Sequence, residues 1–144
     1  VLFRSTIEEV QKLLDQLEIK YTPKNDRLIQ SRWRTDKWEK MLINFVLSEK
    51  LNWLTVVGYP IDPLCGDSPL NLTKREGVTE AKRNELYEKL LYESWLYNGV
   101  KYTLDDERDV AIAIETADTD LTTDELQRYI NQVLRAADEL MDWL

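Results

Sequence analysis

The side chains able to do chemistry are few. Histidine is absent, which removes the commonest base at neutral pH and the commonest metal ligand, and Cys65 is the single thiol of the 144 residues. A nucleophilic thiol needs a base or a cation beside it. The segment Asp62-Pro63-Leu64-Cys65-Gly66-Asp67-Ser68 offers carboxylates instead, which raise a thiol pKa. A structural Cys65 is expected. Asp118, Asp120, Asp124 and Glu125 bunch oxygens in the manner of a hard-cation site. No glycine bends the segment as a calcium loop requires, and carboxylates at a helix N-terminus explain it without metal. Neither a metal nor another cofactor is expected, and no Gly-rich phosphate loop or serine nucleophile elbow is present.

Two further groups bear on binding rather than catalysis. Arg32-Trp33-Arg34, Lys37-Trp38 and Lys40 interleave cations with aromatic rings, a combination that suits a nucleic acid or a strand with its arginines outermost. The chain has 19 basic and 27 acidic side chains, a formal charge of -8, which opposes phosphate backbones and anionic lipid and favours the strand reading. Tyr92, Trp95 and Leu96 fall away from the side of their helix marked by Leu86 and Leu90 and form an association patch, unless the loop around residues 59–72 or Trp143 covers them. Tyr92, Trp95, Leu96, Trp33 and Arg34 are the candidate partner-binding residues. The charge is also divided: residues 20–40 carry seven basic and three acidic side chains, residues 105–142 three basic and twelve acidic. Such surfaces attract one another and suit pairing in a symmetric dimer or the steering of partners to a single subunit, while solvated faces with no specific role explain them equally.

The elements that must position these residues follow from periodicity. A first helix starts at Ser5 or Thr6, each with a Glu three residues on, and buries Ile7, Val10, Leu13, Leu14 and Leu17. A turn at Pro23 to Asp26 leads to strands over Leu28 to Arg34, Met41 to Ser48 and Trp53 to Tyr59, apolar on both faces, so that each face is open to cover. Tyr59 to Leu72 holds three of four prolines and reads as a crossing loop. A second helix spans about Thr79 to Tyr97, with Leu86, Leu90 and Tyr97 buried, Tyr87 and Leu91 marginal, and Asn98-Gly99 ending it. Strands at Val100 to Leu104 and Val110 to Glu115 flank a turn at Asp105 to Arg108. The last helix starts at the Thr122/Glu125 capping box and buries Leu126, Tyr129 or Ile130, Val133, Ala137, Leu140 and Leu144. The order α-β-β-β-α-β-β-α implies an α+β fold, its sheet mostly antiparallel, in a single domain over residues 1–144.

This order, together with Asn98-Gly99-Val100, Leu104-Asp105-Asp106-Glu107, Val110 to Glu115, Leu121-Thr122 and Ala136-Ala137-Asp138, resembles the YbjN-like family of bacterial sensory-transduction regulators, which is similar in fold to the type III secretion chaperones. The resemblance is best over Leu91 to Leu144. It implies a non-enzymatic module, chaperone-like or adaptor-like, that forms a homodimer and binds another protein. A small-ligand sensor, with a pocket near Trp53 and Tyr59, and an enzyme working through carboxylates without histidine are the alternatives. No apolar run approaches the ~20 residues of a membrane span, and Val1 to Val10 lack a secretory stretch, so a cytoplasmic protein without membrane or nucleic-acid partners is expected.

Overall fold

The computed structural model describes residues 6–50, 53–117 and 120–144. Ser5 and Asp118, both singled out above, lie outside the described residues.

Helix α1 (Ile7–Gln16) begins at Thr6, whose hydroxyl accepts from the Glu9 amide at 3.2 Å, and turns Ile7, Val10 and Leu14 inward. Strands β1 (Thr22–Asn25), β2 (Leu28–Trp33), β3 (Met41–Leu47) and β4 (Leu54–Asp62) form a meander, followed by a 3-10 turn (Pro63–Cys65) and the two-residue strand β5 (Ser68–Pro69). Helix α2 (Glu80–Leu96), strands β6 (Lys101–Leu104) and β7 (Val110–Thr116), and helix α3 (Thr123–Met141) complete the order. Every strand pair is antiparallel, and the sheet runs β1-β2-β3-β4-β7-β6, with β5 on the far end of β4. The fold is α+β, as the element order implies.

Two segments differ from expectation. Thr22 to Asn25, read as part of a turn, is an edge strand: an edge tolerates Pro23 because one side of the strand needs no donor, and the reversal falls on Asp26-Arg27, where Asn25 Oδ1 accepts from the Arg27 amide at 2.8 Å. The expected crossing loop from Tyr59 is strand as far as Asp62. Pro60 lies opposite Met41, beyond the last β4–β7 pair at Gly58 and Ile112, so the missing donor leaves no gap in that ladder.

Helices α1 and α3 pack on one face of the sheet, over Ile29, Met41, Ile43, Phe45, Leu47, Leu54, Val56 and Ile112, all buried. Leu126, Ile130, Val133, Ala136, Ala137 and Leu140 form the inward stripe of α3; Leu144 is only partly buried, at its margin. The other face, with Leu28, Gln30, Leu42, Asn44, Val46, Thr55, Val57 and Tyr59, stays partly open. An antiparallel sheet commonly leaves one face to water. The β6–β7 turn reaches the edge of this face, where Asp105 accepts a hydrogen bond from Tyr59.

Candidate protein-binding surface

Helix α2 stands beside the β6 edge rather than over the sheet. Thr79 caps its first turn, accepting from the Lys82 amide at 3.1 Å. At the other end Lys101 Nζ donates to the carbonyls of Ser94 at 2.7 Å and Tyr97 at 2.8 Å, groups that a helix C-terminus leaves without partners. Ser94 Oγ accepts from the Tyr102 amide at 2.9 Å and donates to its carbonyl at 3.4 Å. The free edge of β6 is thereby occupied by the helix. Leu86 and Leu90 enter the core, and Tyr102 lies edge-on between Tyr97 and Trp143, its hydroxyl donating to the Ala136 carbonyl at 2.7 Å. Burial raises the Tyr102 pKa well above the usual phenol, and the Glu93 carboxylate adds to it.

So fixed, α2 points a row of large apolar side chains outward. Trp95 is 82% exposed, Leu91 73%, Tyr92 59% and Leu96 55%, and Leu104 on β6 continues the patch at 44%. A recess of about 130 Å³ between Leu91 and Leu104, floored by Tyr87, Leu90 and Tyr102, joins the two elements. Trp143 packs on Tyr102 and under Lys89 Nζ, 5.2 Å from its ring, and borders a groove with Tyr92 and Leu86 without covering the patch. The loop after β4 does not cover it either: Arg75 Nε donates to Asp62 Oδ2 at 2.7 Å, and Asn71 Nδ2 donates to Asp109 Oδ1 and the Glu107 carbonyl at 3.0 Å each, which ties that loop to the β6–β7 turn. Leu91, expected at the margin of the buried stripe, belongs to the outward patch instead. It sits about 100° from Leu90, the step of one helical residue, and no described residue packs over that flank.

The other candidate group is split by the fold. Trp33 turns to the core side, half-buried, with Nε1 donating to Ser31 Oγ at 2.6 Å, whereas Arg34 is exposed 4.0 Å from Glu39. Trp38 is buried, its Nε1 donating to the Ala137 carbonyl at 2.7 Å, so its ring is not free to stack on a base. Lys37 pairs with Asp142 and Thr35 donates to Asp138 at 2.5 Å. Part of the attraction between the basic and acidic segments is thus used inside the chain.

Cys65 is partly buried, with Sγ 3.5 Å from both Asp62 Oδ2 and the Asn71 carbonyl; burial pushes the thiol above its ordinary pKa, and the Asp62 carboxylate adds to the rise while the Asn71 contact and Arg75 oppose it. Glu125 completes the capping box, accepting from the Thr122 amide and hydroxyl at 3.3 and 3.1 Å. Among the described residues no three acidic or thiol side chains are grouped to hold a metal ion.

The fold has a solved counterpart. Over 94% of this chain and 97% of the other, it is similar at TM-score 0.57 and 17% identity to a chain in the heterodimeric complex ExoU-SpcU from the type III secretion system of Pseudomonas aeruginosa. The neighbour is SpcU, the type III secretion chaperone of that complex. The chain has a secretion-chaperone-like fold. At this identity the likeness speaks for the fold alone. No family model and no curated protein sequence matches the chain, and the structural likeness does not support the YbjN-like family. No helix among the described residues is long and apolar enough to cross a membrane.

Proposed function

We propose that this protein is a non-enzymatic, chaperone-like module that works as a homodimer and binds another protein. The observation that carries the reading is the outward face of α2, where Leu91, Tyr92, Trp95 and Leu96 stand exposed beside Leu104. With large aromatic side chains covering 150–250 Å² each, the patch presents on the order of 600 Å², near the ~800 Å² per partner of a standard interface. Tyr and Trp are the residues over-represented at binding hot spots. The secretion-chaperone-like fold supports the protein-binding part of this reading, since the neighbour is held in a complex with a second, different protein. In this reading the chain is a single α+β domain of the bacterial cytoplasm, of the YbjN-like kind, with self-association through α2 and no nucleic-acid or membrane partner.

Light scattering coupled to size-exclusion chromatography tests it. The expected species has twice the 17.1 kDa chain mass, and Trp95→Ser with Leu96→Ser returns it to monomer without lowering the melting temperature. A wild-type monomer at every concentration overturns self-association. Because the neighbour's complex is a heterodimer, that result leaves one-to-one capture of a different protein standing.

A further inference from the structure

The sheet face turned away from α1 and α3 carries an uneven charge. Side chains alternate along β2, so Ser31 and Trp33 face the helices and Arg32 faces out. Arg32 pairs in register with Leu42, and Leu42 with Tyr59. The ladder runs on past Met41, where the Ile61 amide donates to the Lys40 carbonyl at 3.0 Å, which places Lys40 on the same side as Leu42. Arg34 follows the last residue of β2 and is exposed. Leu42 therefore lies beside Arg32 and on the side of Lys40, with Arg34 just past the end of β2 and the apolar surface of Tyr59 and Ile61 next to it. Arg32, Arg34 and Lys40 are exposed, and the Arg34–Glu39 pair at 4.0 Å is the only ion pair any of them forms among the described residues. Both members of that pair are about three-quarters exposed, so it neutralises little.

We infer that this end of the open face docks a partner protein through an acidic segment with interspersed aliphatic side chains. The inference rests on the protein-binding reading and names the chemistry of the partner. Charge complementarity selects that occupant. On a chain of net charge -8, the exposed cations on the β2 side of Leu42 form a local positive field that draws in carboxylates, bounded on the far side of Tyr59 by Asp105, Asp106 and Asp109. Leu42 and Ile61 give an aliphatic side chain something to cover, which a phosphate backbone has no use for. Trp38, the nearby aromatic that would stack a base, is in the core. The site lies on the sheet and not on α2, so occupying it leaves the proposed dimer face free.

The test is fluorescence anisotropy with a labelled peptide of about 12 residues in which Glu and Asp alternate with Leu and Val, long enough when extended to span the strands at ~3.3 Å per residue. A counterpart with Lys at the acidic positions and a single-stranded oligonucleotide serve as competitors. The acidic peptide is expected to bind, to weaken at least tenfold on Arg32→Glu with Arg34→Glu, and to weaken as salt rises; Arg32→Gln with Arg34→Gln gives the same direction if charge reversal disturbs folding. Binding should be unchanged by Trp95→Ser, which separates this site from the α2 face. Failure of the acidic peptide, equal binding of its lysine counterpart, or tighter binding of the oligonucleotide each overturns the inference, whatever light scattering reports about the dimer.

Discussion

Gly58 lies directly beneath Val133: a methyl group built on Gly58 would sit 2.4 Å from Val133 Cγ1 and 3.1 Å from Met41 Cε. This is where α3 crosses β4, and the missing side chain lets the helix come close enough to bury Val133, Ala136 and Ala137 completely. Val133 is β-branched and stiff, so it cannot swing away. Gly58→Ala is expected to cost about 1–3 kcal/mol as an overpacked core. Urea unfolding measures it, and adding Val133→Ala should recover part of the loss; full stability of the single variant would mean that the helix sits farther from the sheet.

Asp62 and Arg75 anchor the loop between β4 and α2. The Asp62 side chain is 3% exposed and that of Arg75 15%, and the carboxylate also accepts from the Leu64 amide at 3.0 Å. Removing only the cation strands a buried charge, so Arg75→Ala is expected to cost about 3–5 kcal/mol, whereas removing both partners should cost less. A double-mutant cycle by chemical denaturation decides the matter.

These features differ in how far residue order reveals them. Thr6, Thr79 and Thr122 announce three helix starts because a capping hydroxyl and the amide that donates to it are three residues apart. The inward stripe of α3 is equally legible, since one spacing repeats down a single face. The outward patch is only half visible: Tyr92, Trp95 and Leu96 follow once Leu86 and Leu90 are taken as the buried side, but α2 has apolar residues around most of its circumference, so Leu91 has no local mark of its exposure. Trp38 misleads for another reason. Its cationic neighbours describe a surface, and only the contact with Ala137, 99 residues later, shows the ring to be core.

The phenol of Tyr59 should resist ionisation. Burial and the negative charge of Asp105, which accepts its hydrogen bond, push its pKa up to about 12 from the ordinary 10.0. The folded state then holds a proton that the unfolded chain releases, so this contribution to stability is complete below pH ~10 and is lost as pH rises toward ~12. Tyr59→Phe should flatten the fall in melting temperature over that window. An unchanged alkaline profile would locate the sensitivity elsewhere, with Tyr102, whose pKa is also raised, as the next residue to replace.

Cys65 should be slow to react for a related reason. Only the thiolate attacks a disulfide reagent, and burial beside Asp62 holds the thiol protonated. Labelling at neutral pH is expected to lag behind that of the urea-unfolded chain, and to accelerate on Asp62→Asn as both the neighbouring charge and the loop anchor are lost. Rapid labelling of the folded wild type would mean that the loop opens readily.

Lys101 offers a way to perturb the α2 face from outside it. Its ammonium group holds the carbonyls of Ser94 and Tyr97 together, and Trp95 and Leu96 lie between those two residues. Lys101→Met keeps the aliphatic stem and removes the donors, at an expected cost of about 1 kcal/mol from the freed helix end. Amide hydrogen exchange should then rise over the last turn of α2 and little elsewhere. If the α2 face mediates association, the same variant weakens it while leaving every exposed apolar side chain in place, because those side chains lose the fixed backbone that presents them. Faster exchange without weaker association would mean that the partner contacts an earlier part of the helix, toward Tyr92.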